Sequence, residues 1–176
     1  MKKANIKTEK KSKKKKPDLS KIKFILMDLD GCLTTGHILY TSSGESMKMF
    51  HTHDGFGIVR ARELGLKFAV ISGMSAKENK MRVDKLKIHH LYENIDDKKI
   101  PFEELKKLYG LKNEEFAYIG DDEFDLPLLM EVGFSCCPNS AMDEVKKKVD
   151  YICKKNGGEG AVREMVDMIL KKKKLL

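Results

Sequence analysis

Two carboxylates separated by one residue, Asp28 and Asp30, follow four apolar residues in the stretch 24–31, FILMDLDG. A continuous apolar run that ends at a turn signal is typical of a parallel strand buried on both faces. Side chains alternate along a strand, so both carboxylates start on one side, and Gly31 lets the backbone turn sharply. Two carboxylates this close repel each other unless a hard cation holds them. The pattern therefore indicates a metal site with one carboxylate free as nucleophile or acid, although a strand that ends in solvated acids also fits so short a motif.

Two further predicted strands end in residues that can do chemistry. Ser72 ends the apolar run 67–72, and Asp121 and Asp122 follow the run 115–120. Such strands alternate with helical segments along the chain, which favours an α/β fold with a doubly wound parallel sheet. Ligands of these sheets bind beyond the carboxyl ends of the strands. We therefore expect the three strand ends to meet at one edge and to form the site together.

The positive charge of the protein is concentrated at its start. Residues 1–16 contain nine Lys and one Glu, which accounts for the whole formal net charge of +8. Runs of like charge usually stay disordered, so we expect a disordered tail over 1–18 and a single domain over 19–176. A tether to nucleic acid is the alternative, but no aromatic side chain interleaves the lysines to stack on bases, which makes nucleic acid an unlikely partner.

The sequence also bears on the compartment. It contains no run of roughly 18 apolar residues that could span a membrane, and the apolar segment 22–27 is shorter than the core of an export signal. The four cysteines lack metal-type spacing, so reduced, buried thiols are expected. We therefore expect a cytoplasmic protein that has no membrane partner.

The region after the first strand predicts a small insert and the start of a helix. Residues 37–41 and 46–50 have alternating character on either side of the turn 42–45, SSGE, which indicates a β-hairpin. Asp54 is predicted to cap the following helix.

The glycine-rich stretch 157–160 is predicted to be a flexible loop before the last helix.

Taken in order, four motifs resemble those of the haloacid-dehalogenase-like phosphatases: Asp28-x-Asp30-Gly31, Ser72-Gly73, Lys98, and Gly120-Asp121-Asp122 followed by Asp125. Within that superfamily, HTHDGFGI at 51–58, HLY at 90–92 and GGEGAVRE at 157–164 look like the 3-deoxy-manno-octulosonate 8-phosphate phosphatases. Relatives of that family act on sialic-acid-type sugar 9-phosphates. The resemblance covers about residues 20–170.

The carboxylates, serine and lysine of these motifs predict hydrolysis of a phosphomonoester through an aspartyl-phosphate. Asp28, nearest the strand end, would be the nucleophile, and Asp30 would protonate the leaving group and then activate water. Mg²⁺ fits the carboxylates of Asp28 and Asp121, and the resemblance adds the Asp30 carbonyl oxygen as a ligand. Ser72 would donate to the phosphate, and Lys98 would place a positive charge on the phosphoryl oxygens.

Several of these roles have alternatives at the level of sequence. Ser72 could cap the next helix instead. Lys98 and Lys99 are adjacent, and only the family pattern favours Lys98. Asp122 could support the metal ligands or cap a helix, and Asp125 is expected to orient Lys98 or the loop, since an acid in a first helical turn suits the dipole.

The resemblance also implies how the substrate is bound. The substrate pocket would comprise, besides Asp30, Ser72 and Lys98, the residues His51, Thr52, His53, Asp54, Gly55, Gly73 and Arg82. Three positions where the family usually has Arg hold His53, Val59 and Met74. The acidic sugar is therefore left open, and another small sugar phosphate or a non-catalytic oligomerisation module are the alternatives.

Assembly is the last expectation. The insert over about 33–52 is only a hairpin, where many of these enzymes carry a cap domain. The resemblance implies a homotetramer whose hairpins pair and whose open sites are closed by a neighbouring subunit. Flexible glycines suit such a lid, which would comprise Gly157, Gly158, Gly160 and Arg163; a plain loop is the alternative.

Overall fold

The computed structural model describes residues 16–176. The predicted disordered tail over 1–18 therefore lies, for residues 1–15, outside the described part of the chain. The first element is a 3₁₀ turn, Leu19–Lys21, which Asp18 caps by accepting from the Ser20 backbone N–H. None of the helices between residues 16 and 176 combines the length and the apolar character of a membrane span.

A parallel sheet forms the centre of the described domain. The strands are β1 (Phe24–Met27), β2 (Leu39–Tyr40), β3 (Ser46–Met47), β4 (Lys67–Ile71), β5 (His90–Tyr92), β6 (Phe116–Ile119), β7 (Phe134–Cys137) and β8 (Tyr151–Ile152). Six of them form one sheet in the order β5-β4-β1-β6-β7-β8, and every neighbouring pair in it is parallel. The predicted doubly wound α/β fold is therefore confirmed.

Helices cover both faces of this sheet. They are α1 (Thr52–Glu63), α2 (Lys77–Leu86), α3 (Lys99–Tyr109), α4 (Leu126–Leu129), α5 (Asp143–Lys146) and α6 (Ala161–Lys172). Apolar residues of α1, α2 and α6 form one core cluster, and those of α3, α4 and α5 form the other. Within β1, Ile25 and Met27 face the first cluster while Phe24 and Leu26 face the second. This alternation explains why the strand is apolar throughout.

The predicted hairpin insert is present, with strands shorter than expected. Strands β2 and β3 pair antiparallel, with Leu39 opposite Met47. Tyr40 is 72% exposed and Met49 is 65% exposed. In the described chain the hairpin therefore carries an apolar outer face that is open to solvent, which is the kind of patch that marks interfaces.

The start of α1 differs from the prediction. His51, not Asp54, is the N-cap, because its Nδ1 accepts from the His53 backbone N–H at 3.1 Å. Asp54 lies in the first turn and is buried, and its Oδ1 accepts from the Arg163 backbone N–H at 2.7 Å. Asp54 therefore ties the start of α1 to the start of α6, and the assignment of Asp54 as cap was wrong.

Candidate active site

The ends of β1, β4 and β6 open into one cavity of about 320 Å³. It lies at the carboxyl edge of the sheet, where ligands of such folds bind. All of the predicted catalytic and metal-binding residues line it, together with Met74 and Phe124; the full set is Asp28, Asp30, Ser72, Gly73, Met74, Lys98, Asp121, Asp122, Phe124 and Asp125. The predicted convergence of strand ends is thus what the fold produces.

Lys98, rather than Lys99, points into the cavity. Its ammonium contacts Asp28 Oδ1 and donates to Asp125 Oδ1 at 2.6 Å and to the Tyr118 hydroxyl at 3.1 Å. Lys98 is 4% exposed. Lys99 instead lies on the surface and pairs with Glu131 at 2.8 Å. The structure therefore separates two lysines that the sequence alone could not.

Asp125 organises the loop after β6. Its Oδ2 accepts from the backbone N–H groups of Asp121 at 2.8 Å and Asp122 at 3.2 Å, while its Oδ1 holds Lys98. Asp122 itself is exposed and accepts from the Glu123 backbone N–H at 2.6 Å. Of the two interpretations of Asp122, the cap of a short helical turn fits this geometry.

Asp30 is held by a residue that the sequence reasoning missed. Its Oδ2 accepts from Lys48 Nζ at 2.7 Å, and its Oδ1 accepts from Thr34 Oγ1 at 3.3 Å. The hairpin pattern alone gave no signal for Lys48, because the apolar Met47 and Met49 alternate with it and would be expected on the buried side. With a period of two, Lys48 shares a face with Ser46 and Phe50, which are half-buried, whereas its neighbours in sequence are exposed.

Ser72 lines the cavity, but its hydroxyl already serves the local turn. Ser72 Oγ donates to the Met74 carbonyl oxygen at 2.9 Å and accepts from the Met74 backbone N–H at 3.2 Å. The side chain is buried. A phosphate contact would therefore require Ser72 Oγ to exchange the carbonyl oxygen for a phosphate oxygen.

The predicted substrate residues at the start of α1 do not line this cavity. Arg82 donates to the His51 carbonyl oxygen at 2.8 Å, and its guanidinium lies over the Phe50 ring at 5.2 Å. These contacts stabilise the chain at the start of α1. A Cβ at Gly55 would lie 2.8 Å from the Arg82 guanidinium. The cavity-lining set includes neither Arg82 nor the predicted residues His51, Thr52, His53, Asp54 and Gly55.

The glycine-rich loop, predicted to be flexible, is packed within its own chain. Gly157 and Gly158 are buried, and the Gly158 N–H donates to the Cys32 carbonyl oxygen at 2.9 Å. A Cβ at Gly157 would collide with the Gly31 carbonyl oxygen. Gly160, in the left-handed region with φ 106°, is the N-cap of α6. The loop therefore buttresses the turn after β1 in its own chain, and its role as a lid over a neighbouring subunit stays a prediction.

Arg163, the other predicted lid residue, also packs within its own chain. Its Nε donates to Asp167 at 2.8 Å, and its guanidinium lies over the Phe56 ring at 5.2 Å. These contacts occupy the side chain on the outer surface of α1 and α6. Whether a neighbouring subunit closes the cavity stays a prediction.

The carboxylates in the cavity suit a hard cation. An oxygen of Asp28, an oxygen of Asp121 and Cys32 Sγ lie within 4.8 Å of one another. Gly31, at φ +88°, allows this approach, because a Cβ there would overlap the Asp121 carboxylate. Burial raises the pKa of Cys32, so its thiol stays protonated and oxygens remain as the ionic ligands.

The raised pKa values of Asp28 and Asp121 also favour a divalent cation in this cavity. Burial, together with the negative charge of Asp125, raises the pKa of Asp121 to about 7. Burial also raises the pKa of Asp28 well above its usual range, and the neighbouring Lys98 offsets this in part. Two carboxyl groups that resist ionisation next to each other would both ionise readily around a divalent cation.

Comparisons with known proteins agree with this geometry. The sequence profile of the haloacid dehalogenase-like hydrolases matches residues 87–165. The 3-deoxy-D-manno-octulosonate 8-phosphate phosphatase of Haemophilus influenzae is 39% identical over 152 residues, which cover 86% of this chain and 84% of the relative. The enzyme of the same name from Escherichia coli K12 is 36% identical over 149 residues, covering 85% and 79%.

Solved structures give the same result. The Moraxella catarrhalis 3-deoxy-D-manno-octulosonate 8-phosphate phosphatase, solved in complex with a magnesium ion, a phosphate ion and a KDO molecule, has a TM-score of 0.87 at 36% identity, with 89% of this chain and 90% of that chain covered. A haloacid dehalogenase superfamily hydrolase (subfamily III A) of Legionella pneumophila has a TM-score of 0.88 at 36% identity, covering 89% and 86%. The chain therefore belongs to the 3-deoxy-D-manno-octulosonate 8-phosphate phosphatase family of haloacid dehalogenase-like hydrolases.

Proposed function

We propose that this protein is a Mg²⁺-dependent phosphatase that hydrolyses 3-deoxy-D-manno-octulosonate 8-phosphate. The observation that carries the proposal is the meeting of Asp28, Asp30 and Asp121 with a buried Lys98 in one cavity. Family membership supports the substrate class, and the magnesium, phosphate and sugar in the Moraxella catarrhalis complex support the ligands.

In the first step, a carboxylate oxygen of Asp28 forms a bond to phosphorus, and the bond from phosphorus to the sugar oxygen breaks. Lys98 engages Oδ1 of Asp28, so Oδ2 is the oxygen left free to attack. The proton carried by Asp30 passes to the departing sugar oxygen. The products of this step are an aspartyl-phosphate on Asp28 and the free sugar.

In the second step, water forms a bond to the same phosphorus and gives a proton to Asp30. The acyl-phosphate bond breaks, inorganic phosphate leaves, and the Asp28 carboxylate is restored. Asp30 is then protonated again, as the first step requires. Two moderate barriers thereby replace the very high barrier of direct phosphomonoester hydrolysis.

Lys98 supplies a fixed positive charge to this reaction. Burial alone would lower its pKa, but the charges of Asp28 and Asp125 outweigh that effect and raise the pKa to about 12. The ammonium is therefore always charged, and it sits where negative charge would develop on the phosphoryl oxygens. A preorganised charge of this kind stabilises the transition state without reorganisation. Ser72 Oγ would add a hydrogen bond to a phosphate oxygen.

The carboxylates of Asp28 and Asp121, with the Asp30 carbonyl oxygen, would hold the Mg²⁺ ion. When bound, the ion neutralises charge on the phosphoryl oxygens. Asp121 also depends on Asp125, which fixes its backbone N–H. The role of Asp125 is thus to position both Lys98 and the metal-binding loop.

A second candidate substrate is a different acidic sugar phosphate, such as a sialic-acid-type 9-phosphate. Met74 lines the cavity and is 51% exposed, at a position where an Arg would offer a bidentate partner for a carboxylate.

A homotetramer formed through the exposed hairpin is also part of the proposal. Intact Asp28 and Asp30 argue against a purely structural oligomerisation module.

The test is phosphate release from a panel of acidic and neutral sugar phosphates, with Mg²⁺ and with EDTA. We expect the highest kcat/KM for 3-deoxy-D-manno-octulosonate 8-phosphate and no turnover in EDTA. A higher kcat/KM for a sialic-acid-type 9-phosphate would support the second candidate. Turnover that persists without any divalent cation would contradict the mechanism.

A further inference from the structure

Lys48 connects the hairpin to Asp30, the acid–base residue of the proposed function. It follows β3 directly, and its side chain is only 2% exposed. Lys48 Nζ donates to Asp30 Oδ2 at 2.7 Å and to Asn79 Oδ1 at 3.0 Å. Hydrogen bonds from an ammonium to a carboxylate are among the stronger ones in proteins, and burial strengthens them further.

Asn79, on α2, fixes the position of the Lys48 ammonium. Its side chain is fully buried, and its Nδ2 donates to the Met74 carbonyl oxygen at 3.2 Å and to Glu93 Oε1 at 2.9 Å. Both N–H donors are therefore used, which leaves Oδ1 to face Lys48. A flipped amide would set its NH₂ group against the ammonium and its oxygen against two acceptors. The network therefore permits only one orientation of the Asn79 side-chain amide.

This network treats the two oxygens of Asp30 differently. Oδ2 is anchored by Lys48, whereas Oδ1 has only the Thr34 hydroxyl at 3.3 Å. Oδ1 is therefore the oxygen that is able to carry a proton to and from the reacting groups. We propose, on the basis of the phosphatase function above, that Lys48 is a positioning residue that holds Asp30 so that Oδ1 faces the leaving group.

A merely structural ion pair would behave differently from a positioning residue. In the proposed mechanism, kcat/KM reports on the steps up to and including transfer of the phosphoryl group to Asp28, because that transfer is the first irreversible step. An alkoxide such as a sugar oxygen needs a proton from Asp30 to leave, whereas p-nitrophenolate leaves without one. Misplacing Asp30 should therefore slow the sugar phosphate and spare the aryl phosphate.

The experiment compares Lys48→Met with the wild-type protein on both substrates, with Mg²⁺ present. We expect kcat/KM for the sugar phosphate to fall by about 10²-fold, the lower end of what general acid catalysis contributes, and kcat/KM for p-nitrophenyl phosphate to stay within about threefold. Lys48→Arg should restore part of the sugar-phosphate activity, because it can still reach and charge-pair with Asp30.

Lys77→Met is the matched control. Lys77 also joins α2 to the hairpin, through a pair with Glu45 at 3.3 Å, but both side chains are more than 60% exposed and neither contacts Asp30. We expect both kcat/KM values of this variant to equal those of the wild type.

Equal losses on both substrates in Lys48→Met, or no loss on the sugar phosphate, would overturn the positioning role. If Lys48→Met does not fold, Lys48→Gln is measured in the same way and judged by the same two results. A wild-type protein that hydrolyses neither substrate would instead overturn the proposed function, and the Lys48 role with it.

Discussion

The two ends of the cavity are built differently. At the inner end, Asp28, Lys98 and Asp125 are at most 7% exposed and hold one another through ion pairs. At the outer end, Met74 is 51% exposed and Phe124 is 46% exposed. The inner end is thus complete within one chain, whereas the outer end offers few polar groups to a sugar.

This difference assigns chemistry and selectivity to separate parts of the molecule. Charges that are buried together must satisfy one another, so the inner end is a preorganised group of charges. Under the proposed function, it would serve phosphoryl transfer whatever the leaving group is. Under the same proposal, selectivity for a sugar would depend on groups that the hairpin or a further copy of the chain adds. Substitutions at the inner end should therefore affect turnover, and substitutions that alter the outer end should affect substrate affinity.

The largest effect is expected at the inner end, from Asp28→Asn. An amide cannot attack phosphorus, so turnover should fall to the background of the assay while the fold persists. Phosphate release and thermal unfolding measure the two properties. Retained turnover with an unchanged melting curve would show that Asp28 is not the nucleophile.

Replacing the buried lysine should affect both activity and stability. Lys98→Met leaves the carboxylates of Asp28 and Asp125 buried without a counter-charge, and breaking such a pair typically destabilises a protein by about 3–5 kcal/mol. We expect phosphate release to fall by at least about 10²-fold, as for loss of a preorganised charge. Denaturant unfolding measures the change in the free energy of unfolding.

Lys99→Met is the matched control for this prediction. Lys99 is adjacent in sequence, but it forms a surface pair with Glu131. Exposed pairs contribute little, so neither activity nor stability should change measurably. If Lys99→Met lost activity and Lys98→Met kept it, the assignment of the phosphate lysine would be reversed.

Changes to the exposed apolar face of the hairpin should affect assembly and substrate affinity but not the inner end. Tyr40→Ser removes an exposed aromatic side chain from the apolar hairpin face. We expect a smaller assembly by light scattering and a higher KM for the sugar phosphate, with unchanged Mg²⁺ affinity. Leu108→Ser, at a residue 61% exposed on α3, is the control. A wild-type monomer with full activity would exclude the hairpin interface.

The smallest effect concerns pH and the metal-free protein. The raised pKa of Asp121, about 7 against an ordinary value of 3.8, favours the folded state at low pH. That contribution is lost as the pH rises through about 7, where the carboxylate ionises beside other acids. Mg²⁺ binds the ionised form, so the increase in melting temperature with Mg²⁺ should grow from about pH 5 to pH 8.

Asp121→Asn is the control for the pH prediction, because an amide does not titrate. Its melting temperature should gain little from Mg²⁺ at any pH. An Mg²⁺ effect in the wild-type protein that shrinks with rising pH would contradict the proposed ligand set.

The sequence alone predicted the inner end well. The apolar runs of β1 and β6, and the acids that follow each of them, placed Asp28 and Asp121 at one edge, since parallel strands end together. Local rules were enough because each residue lies at the end of its own strand. The residue types alone did not separate Lys98 from Lys99, because the two lysines are adjacent at the start of α3, as its N-cap and its first residue. The family pattern favoured Lys98, and the fold shows which of the two side chains enters the cavity.

The residues that support the cavity from outside were harder to predict for a physical reason. Lys48 depends on the packing of the hairpin against α2, and Gly157 depends on contact with the turn at Gly31; both are contacts between distant parts of the chain. Glycine content suggested flexibility, whereas the fold uses these glycines for close approach. Asp54 was misassigned because His51 provides the cap instead.

The central claim is that Asp28 carries the phosphoryl group during turnover. The most direct measurement mixes the wild-type protein and Asp30→Asn with p-nitrophenyl phosphate and Mg²⁺, stops the reaction with acid, and examines the peptides by mass spectrometry. The account predicts one phosphoryl group on Asp28, with more of it in Asp30→Asn, because losing the general base slows hydrolysis of the intermediate. Release of phosphate by both proteins with no phosphoryl group on Asp28, or with one on another residue, would contradict it.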